Sequence, residues 1–274
     1  VITKEEVEPK KDVKTPLATK SKEEKDTSPS LTPKVEVKKK QEVVKAVIVN
    51  PKEIKLELLS ENLTALERHE LEQRLSISEQ EGVNELTQEM ITTGFVDLGV
   101  KPSNRAPGAI SRLISGIRVA ANRNLTSSVP SIISAAEHQV AGDLVRVEAI
   151  KALGRLNTKE SKSFLKDFSS DEPYIDGQVL LSRAMLGDDG VFVDSLEHLK
   201  SDDDEMQELA LNSIMLVANS ENQNMFYEQI GGIRKINHMS LAMTLKTIGT
   251  PEAITNLEKL NREFGSPFSE ALNN

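Results

Sequence analysis

Four histidines, His69, His138, His198 and His238, are the first candidates for metal or acid–base chemistry in this chain. A helical metal site wants ligands at i and i+4, because those positions share a face. No two of the four stand in that relation. Glu70 and Glu197 are immediate neighbours of His69 and His198, and adjacent helical positions do not face each other. Each histidine therefore reads as a solvated or core-edge side chain. The acidic run DDDE, Asp202 to Glu205, invites a calcium reading. A calcium-binding EF-hand loop spaces its acids through twelve residues with a glycine at the sixth, an order this run lacks. It stands just before an apolar-periodic segment, where acids favour the positive end of a helix. Asp188 and Asp189 in LGDDG follow the same turn-and-cap logic. Gly187 and Gly190 are followed by no phosphate-binding Lys-Ser or Lys-Thr, and Gly108-Ala109-Ile110-Ser111 is no nucleophile elbow. The chain has no cysteine, which removes disulfides, thiolate metal sites and cysteine nucleophiles. Carboxylates are plentiful, but none is singled out by an apolar pocket or a basic partner. The expectation is a chain with no catalytic residue, no metal and no cofactor.

The elements that would position any site are helical and recurrent. In LVRVEAIKALGRL, Leu144 to Leu156, the residues Val145, Ala149, Ala152, Leu153 and Leu156 fall on one stripe of a 3.6-residue period. Asn157 and Thr158 end the segment, and Thr158 with Ser161 caps the next helix. Leu156 aligns with Leu186, Val217 and Ile248 at intervals of 30, 31 and 31 residues. Each is followed by a polar turn and a second amphipathic segment: LNTKESKSFLKDF, LGDDGVFVDSLEHL, VANSENQNMFYEQI and IGTPEAITNLEKL. Met206, Ala210, Ser213, Ile214 and Val217 repeat the stripe, as do Leu241, Leu245 and Ile248. Upstream, LTSSVPSIISAAEH from Leu125 fits more loosely, and Ile110, Leu113, Ile114, Ile117 and Ala121 line the helix before it. Four to five such units can bury a continuous core by stacking.

These phrases, VRVEAIKALGRL, LGDDGVFVDSLEHL and IGTPEAITNLEKL above all, resemble HEAT-like repeats of the short kind, similar to those of phycobilisome-lyase-type families. The resemblance spans roughly residues 107–264. It implies an all-α, right-handed α-solenoid of four to five helical pairs in which the second helix of each unit lines the concave side. The family's Asp-then-Val-Arg pattern is present at Asp143, Val145 and Arg146. Asp176 and Gln207 stand at the later Arg positions, and Arg183 stands where the stripe asks for Leu. The middle unit is thus degenerate or locally re-registered. The families resembled handle bilin pigments, but no lyase-specific residue maps onto this chain.

Composition fits a helical stack. Aromatics are 3% of the 274 residues, with no Trp, so the core rests on Leu, Ile, Val, Ala and Met. Formal net charge is −9; residues 1–55 hold 14 Lys and 10 acids, net +4, which leaves −13 for the rest. An acidic body argues against nucleic acid as the partner. No run approaches the roughly 18 apolar residues of a membrane helix. Residues 1–41, rich in Lys, Glu, Pro, Ser and Thr without apolar periodicity, read as a disordered tether. In polyproline form they would span about 120 Å. Residues 42–59 carry VVKAVIV and the alternating IKLEL around Asn50-Pro51, read as a short strand or hairpin or an extended connector. Residues 60–106 read as a helical cap. Ser60 caps a helix carrying Leu63, Leu66, Leu71 and Leu75, and Ser78 with Glu81 caps a second carrying Val83, Leu86 and Met90, which Thr92 to Gly94 end. Residues 107–264 hold the repeats, Gly265 stops the last helix, and 265–274 form a tail that docks through Phe268 or frays.

With catalytic signals absent, the expected function is non-catalytic: a scaffold or adaptor binding another protein in the groove or along the edge. The face opposite the core stripe holds Val147 and Lys151, then Leu181 with Arg183 nearby, then Met215, then Met239, Met243 and Lys246. This broken apolar strip marks a partner surface unless adjacent helices cover it. Two other classes stay open: a bilin or cofactor lyase or chaperone-like protein, and an oligomeric structural subunit. The tether, the missing cysteines and the start at Val1 favour an exported, periplasmic bacterial protein in an envelope assembly over a cytoplasmic one.

Overall fold

The structure, a computed structural model, describes Asn50, Glu53, Ile54, Glu57, residues 63–101, Asn104 and residues 108–273. All of them belong to one compact unit, Val44–Asn274. The expected tether and the VVKAVIV segment lie outside the described residues.

The described residues form thirteen α-helices and no strand. They are α1 Ala65–Ile77, α2 Val83–Leu98, α3 Ala109–Asn122, α4 Val129–Glu137, α5 Asp143–Leu156, α6 Lys159–Asp167, α7 Pro173–Met185, α8 Val191–His198, α9 Asp204–Val217, α10 Gln223–Tyr227, α11 His238–Ile248, α12 Pro251–Phe264 and α13 Phe268–Asn273. The odd-numbered helices from α1 to α11 form a row, each packed on the next. Along the row, α2 packs on α3, α4 on α5, α6 on α5 and α7, α8 on α7 and α9, and α12 on α11.

The reason for this order is the stripe. Val145, Ala149, Ala152, Leu153 and Leu156 are all buried, as are Met206, Ala210, Ser213 and Ile214 two intervals on. The core divides into clusters that follow the chain: Ile54 to Val119, Ile91 to Val179, then Leu180, Ala184 and Val191, then Phe192 to Ala271. Helix ends are set locally. Thr158, Asp203 and Thr250 accept from the backbone N–H three residues on, and Asn157 and Gly249 end their helices in the left-handed region.

Several expectations are corrected near the N-terminal end. Glu53, Ile54 and Glu57 are helical, not extended. The Ile54 N–H donates to the Asn50 carbonyl at 3.1 Å, and Ile54 is buried with Leu71 and Leu75; that packing outweighs a short alternating pattern. Ser60 is not among the described residues, and Thr64 caps α1 in a reciprocal box with Glu67. Leu66 points to solvent rather than into the core. Ser78 ends α1, and α2 begins after Gly82 without a side-chain cap. The α2 helix does not stop at Gly94 but runs to Leu98, because the glycine lets α3 come close: a Cβ there would stand 2.6 Å from Leu113 Cβ. At the other end, the tail from Phe268 is helical, and Phe268 is fully buried. The segment NQNMFYEQI is shorter than expected, a five-residue helix followed by a 3₁₀ turn.

Candidate binding face of the helix row

The face opposite the stripe is covered at one end of the row and open at the other. Val147, expected in the groove, is 2% exposed and belongs to the core. The cause is the close spacing of α5, α7 and α9. A Cβ on Gly154 would stand 3.0 Å from Ser182 Cβ, so this side of α5 is a helix seam rather than a groove wall. Lys151, Leu181, Met215 and Lys246 are half-buried. Met239 and Met243 are open, and so are two residues outside the expected strip, Met185 and Leu216; all four lie between 46% and 50% exposed. Met185 and Leu216 occupy the same repeat position, next to Ala184 and Met215. An interval of 31 residues was signal enough to pair them, but not to show which side of the stripe stays open.

Arg183 does not belong to this face. It bridges Asp188 at 2.8 Å and Asp194 at 2.9 Å, tying the end of α7 to the turn and to α8. Burial pushes its guanidinium down, and the two carboxylates outweigh that and raise it. The Arg position of the repeat pattern, and the residues that replace it, also acquire a purpose. Arg146 Nε donates to the Ala136 carbonyl at 3.2 Å, at the end of α4. Gln207, two intervals on, donates to the Leu199 carbonyl at 2.9 Å, at the end of α8. Both clip the terminal carbonyls of the preceding helix, which have no partner within it. Gln207 also accepts from Arg234 N–H at 2.8 Å and Asn237 Nδ2 at 3.1 Å, so it fixes the entry to α11. Asp176, at the intermediate position, faces His198 Nε2 at 3.4 Å instead.

At the N-terminal end of the row the open side is charged. Arg118 on α3 lies 2.8 Å from Glu148 on α5 and 3.6 Å from Glu72 on α1, and Lys151 lies 3.5 Å from Glu148. Burial pushes the Glu148 carboxyl up, but Arg118 and Lys151 outweigh it and hold the group below the ordinary glutamate value. Glu72 is 2% exposed and accepts from Ser115 Oγ at 2.7 Å. A polar hollow of about 410 Å³ lies over this network, with His69, Asn122 and Arg155 on its rim. Ser115 is fully buried, so no substrate reaches its hydroxyl.

The remaining chemistry-bearing residues are dispersed. His138 meets Phe95 edge-on with centroids 5.5 Å apart, and His238 packs at a tilt on Phe264 at 4.8 Å and Phe268 at 5.1 Å. Burial holds His238 below the usual histidine value, and Lys235 adds to that. In the DDDE run, Asp203 caps α9 through Met206 N–H at 2.8 Å and Asp204 pairs with Arg234 at 2.9 Å. Among the described residues no three His, Asp or Glu side chains converge on a metal position, and no helix is long and apolar enough to cross a membrane.

No protein-family model matches this chain, and no curated protein matches it significantly.

Proposed function

We propose that this chain is a non-catalytic adaptor: a right-handed α-solenoid of HEAT-like helical pairs that binds a partner protein along the open side of its helix row. The observation that carries the reading is the run of half-exposed apolar side chains on three successive helices of the row, Met185 on α7, Leu216 on α9, and Met239 and Met243 on α11. Single exposed apolar residues are ordinary, but Met185 and Leu216 at one repeat position, with Met239 and Met243 on the next helix of the row, make a surface that gains by being covered. Methionine adds an adaptable contact. The helix order supports the solenoid, since each odd helix packs on the next and the core clusters follow the chain. Stacked repeats have that property, and a globule closed around one core does not.

The test is affinity capture with quantitative mass spectrometry, comparing wild type with the Met239→Glu/Met243→Glu variant. Both substituted side chains are exposed, so unfolding stability should change by no more than about 0.5 kcal/mol each. Proteins recovered with wild type should be depleted from the variant. Equal recovery by a folded variant discards the proposal.

A further inference from the structure

The open side of the row changes character from one end to the other. At intervals of 30 and 31 residues, Arg155 on α5, Met185 on α7 and Leu216 on α9 align, and all three are exposed. One turn earlier, Lys151, Leu181, Asn212 and Met243 align on α5, α7, α9 and α11. These helices pack side by side, so the aligned positions form two tracks that cross the row. Both tracks begin with a cation on α5 and continue on α7 as hydrocarbon.

The α5 end carries excess positive charge. Arg118, Lys151 and Arg155 line the polar hollow there against Glu72 and Glu148, so three cations face two carboxylates. Arg118 and Lys151 lie beside Glu148. Arg155 Nη1 instead donates at 3.1 Å to the neutral Asn122 Oδ1 and, among the described residues, meets no carboxylate. This stands out in a body whose residues beyond 55 sum to −13. On α9, exposed Glu205 and Glu208 in the first two turns would repel an acid placed there. The spacing of the tracks also selects a shape. Packed helices stand about 8–10 Å apart. A strand repeats its face about every 6.6 Å, whereas a helix brings one face round at i+7, about 10.5 Å on. The three steps from α5 to α11 match a helix of about 16–20 residues. Resting on the adaptor reading, we propose that the occupant of this side is an amphipathic helix of the partner protein. It lies across α5, α7, α9 and α11, with apolar residues on Met185, Leu216 and Met243 and a carboxylate at one end beside Lys151 and Arg155.

Fluorescence anisotropy on the full chain tests it with three labelled peptides of about 20 residues, acetylated and amidated. The first has leucine at every third or fourth position, glutamine and alanine elsewhere, and two glutamates at one end. The second has lysines in place of the glutamates. The third keeps the glutamates and scrambles the leucines. The first should bind saturably, the second about fivefold or more weakly, and the third not at all. The gap between the first two should narrow in about 0.5 M salt. Arg155→Glu, at an exposed position, turns the excess of one positive charge into one negative. It should reverse the order of the first two peptides, with circular dichroism unchanged. Lys246→Glu, at the α11 end, should leave that order as it is. No saturable binding of the first peptide, equal binding of either control, or an order that Arg155→Glu leaves unchanged or Lys246→Glu reverses overturns the proposal. A dimer in light scattering that Met185→Glu dissolves assigns the face to a second copy of this chain and overturns it too. In affinity capture, partners lost from Met239→Glu/Met243→Glu but kept by Arg155→Glu would overturn this assignment and leave the adaptor reading standing.

Discussion

A Cβ placed on Gly177 would stand 2.8 Å from Leu209 Cδ1 and 3.0 Å from the sulfur of Met206. The α7 and α9 helices meet there, and Leu209 Cβ, fixed to its backbone, would stand 3.2 Å away, so a methyl group crowds more than the flexible side-chain ends. Alanine at a helix interior ordinarily gains about 0.5–1 kcal/mol over glycine. Overpacking a tight contact costs about 1–3 kcal/mol, which is the larger effect. Gly177→Ala should therefore lower unfolding stability by about 1 kcal/mol or more in denaturant titration. A stabilised variant would mean that Leu209 and Met206 give way freely.

Gln207 serves three backbone or side-chain groups at once: the Leu199 carbonyl, the Arg234 N–H and Asn237 Nδ2. Gln207→Leu keeps the volume and removes every one of these bonds. Each buried group left unsatisfied costs about 1–3 kcal/mol. The expected result is a loss of at least about 2 kcal/mol, with faster hydrogen exchange at Arg234 and in α11. Exchange unchanged at those sites would show that Gln207 does not hold the entry to α11.

Arg118→Met leaves Glu72 buried with Ser115 as its hydrogen-bond partner and only the charge of Arg68, with no salt bridge, to balance it. Breaking a fully buried pair costs about 3–5 kcal/mol. Arg118 is 38% exposed at its side chain, so solvent screening places the cost below that range. Adding Glu72→Gln should restore part of the loss, because a neutral amide needs no counter-charge. A double variant no more stable than Arg118→Met would place the cost elsewhere.

The His238 ring packs on Phe264 and Phe268, where burial disfavours its charged form. A histidine whose value is lowered in the fold binds its proton more readily when unfolded. Its contribution is therefore complete above the ordinary value of 6.5 and is lost as pH falls through 6.5 towards the folded value. Unfolding stability should fall as pH is taken from about 7.5 to about 5.5. In His238→Phe the fall should be smaller across that window. Equal slopes in the two proteins would rule out His238 as the source.

The all-helical character of the region from residue 109 on, and caps such as Thr158, were legible because each is encoded within a turn or two of chain. Helical periodicity needs only local spacing, and a cap such as Thr158 on Ser161 N–H spans three residues. What lay further apart was not legible. Gly94 reads as a break until Leu113 is beside it, and Val147 reads as open until α7 closes on α5 at Gly154 and Ser182. Arg183 reads as a fault in the stripe until Asp188 and Asp194 come round to meet it. The chain alone determined which stretches of the repeat region are helical and which stripe of each is apolar, because those are short-range properties. Which apolar face stays uncovered, and which charges meet, was decided by helix-to-helix distances that depend on contacts between residues tens of positions apart.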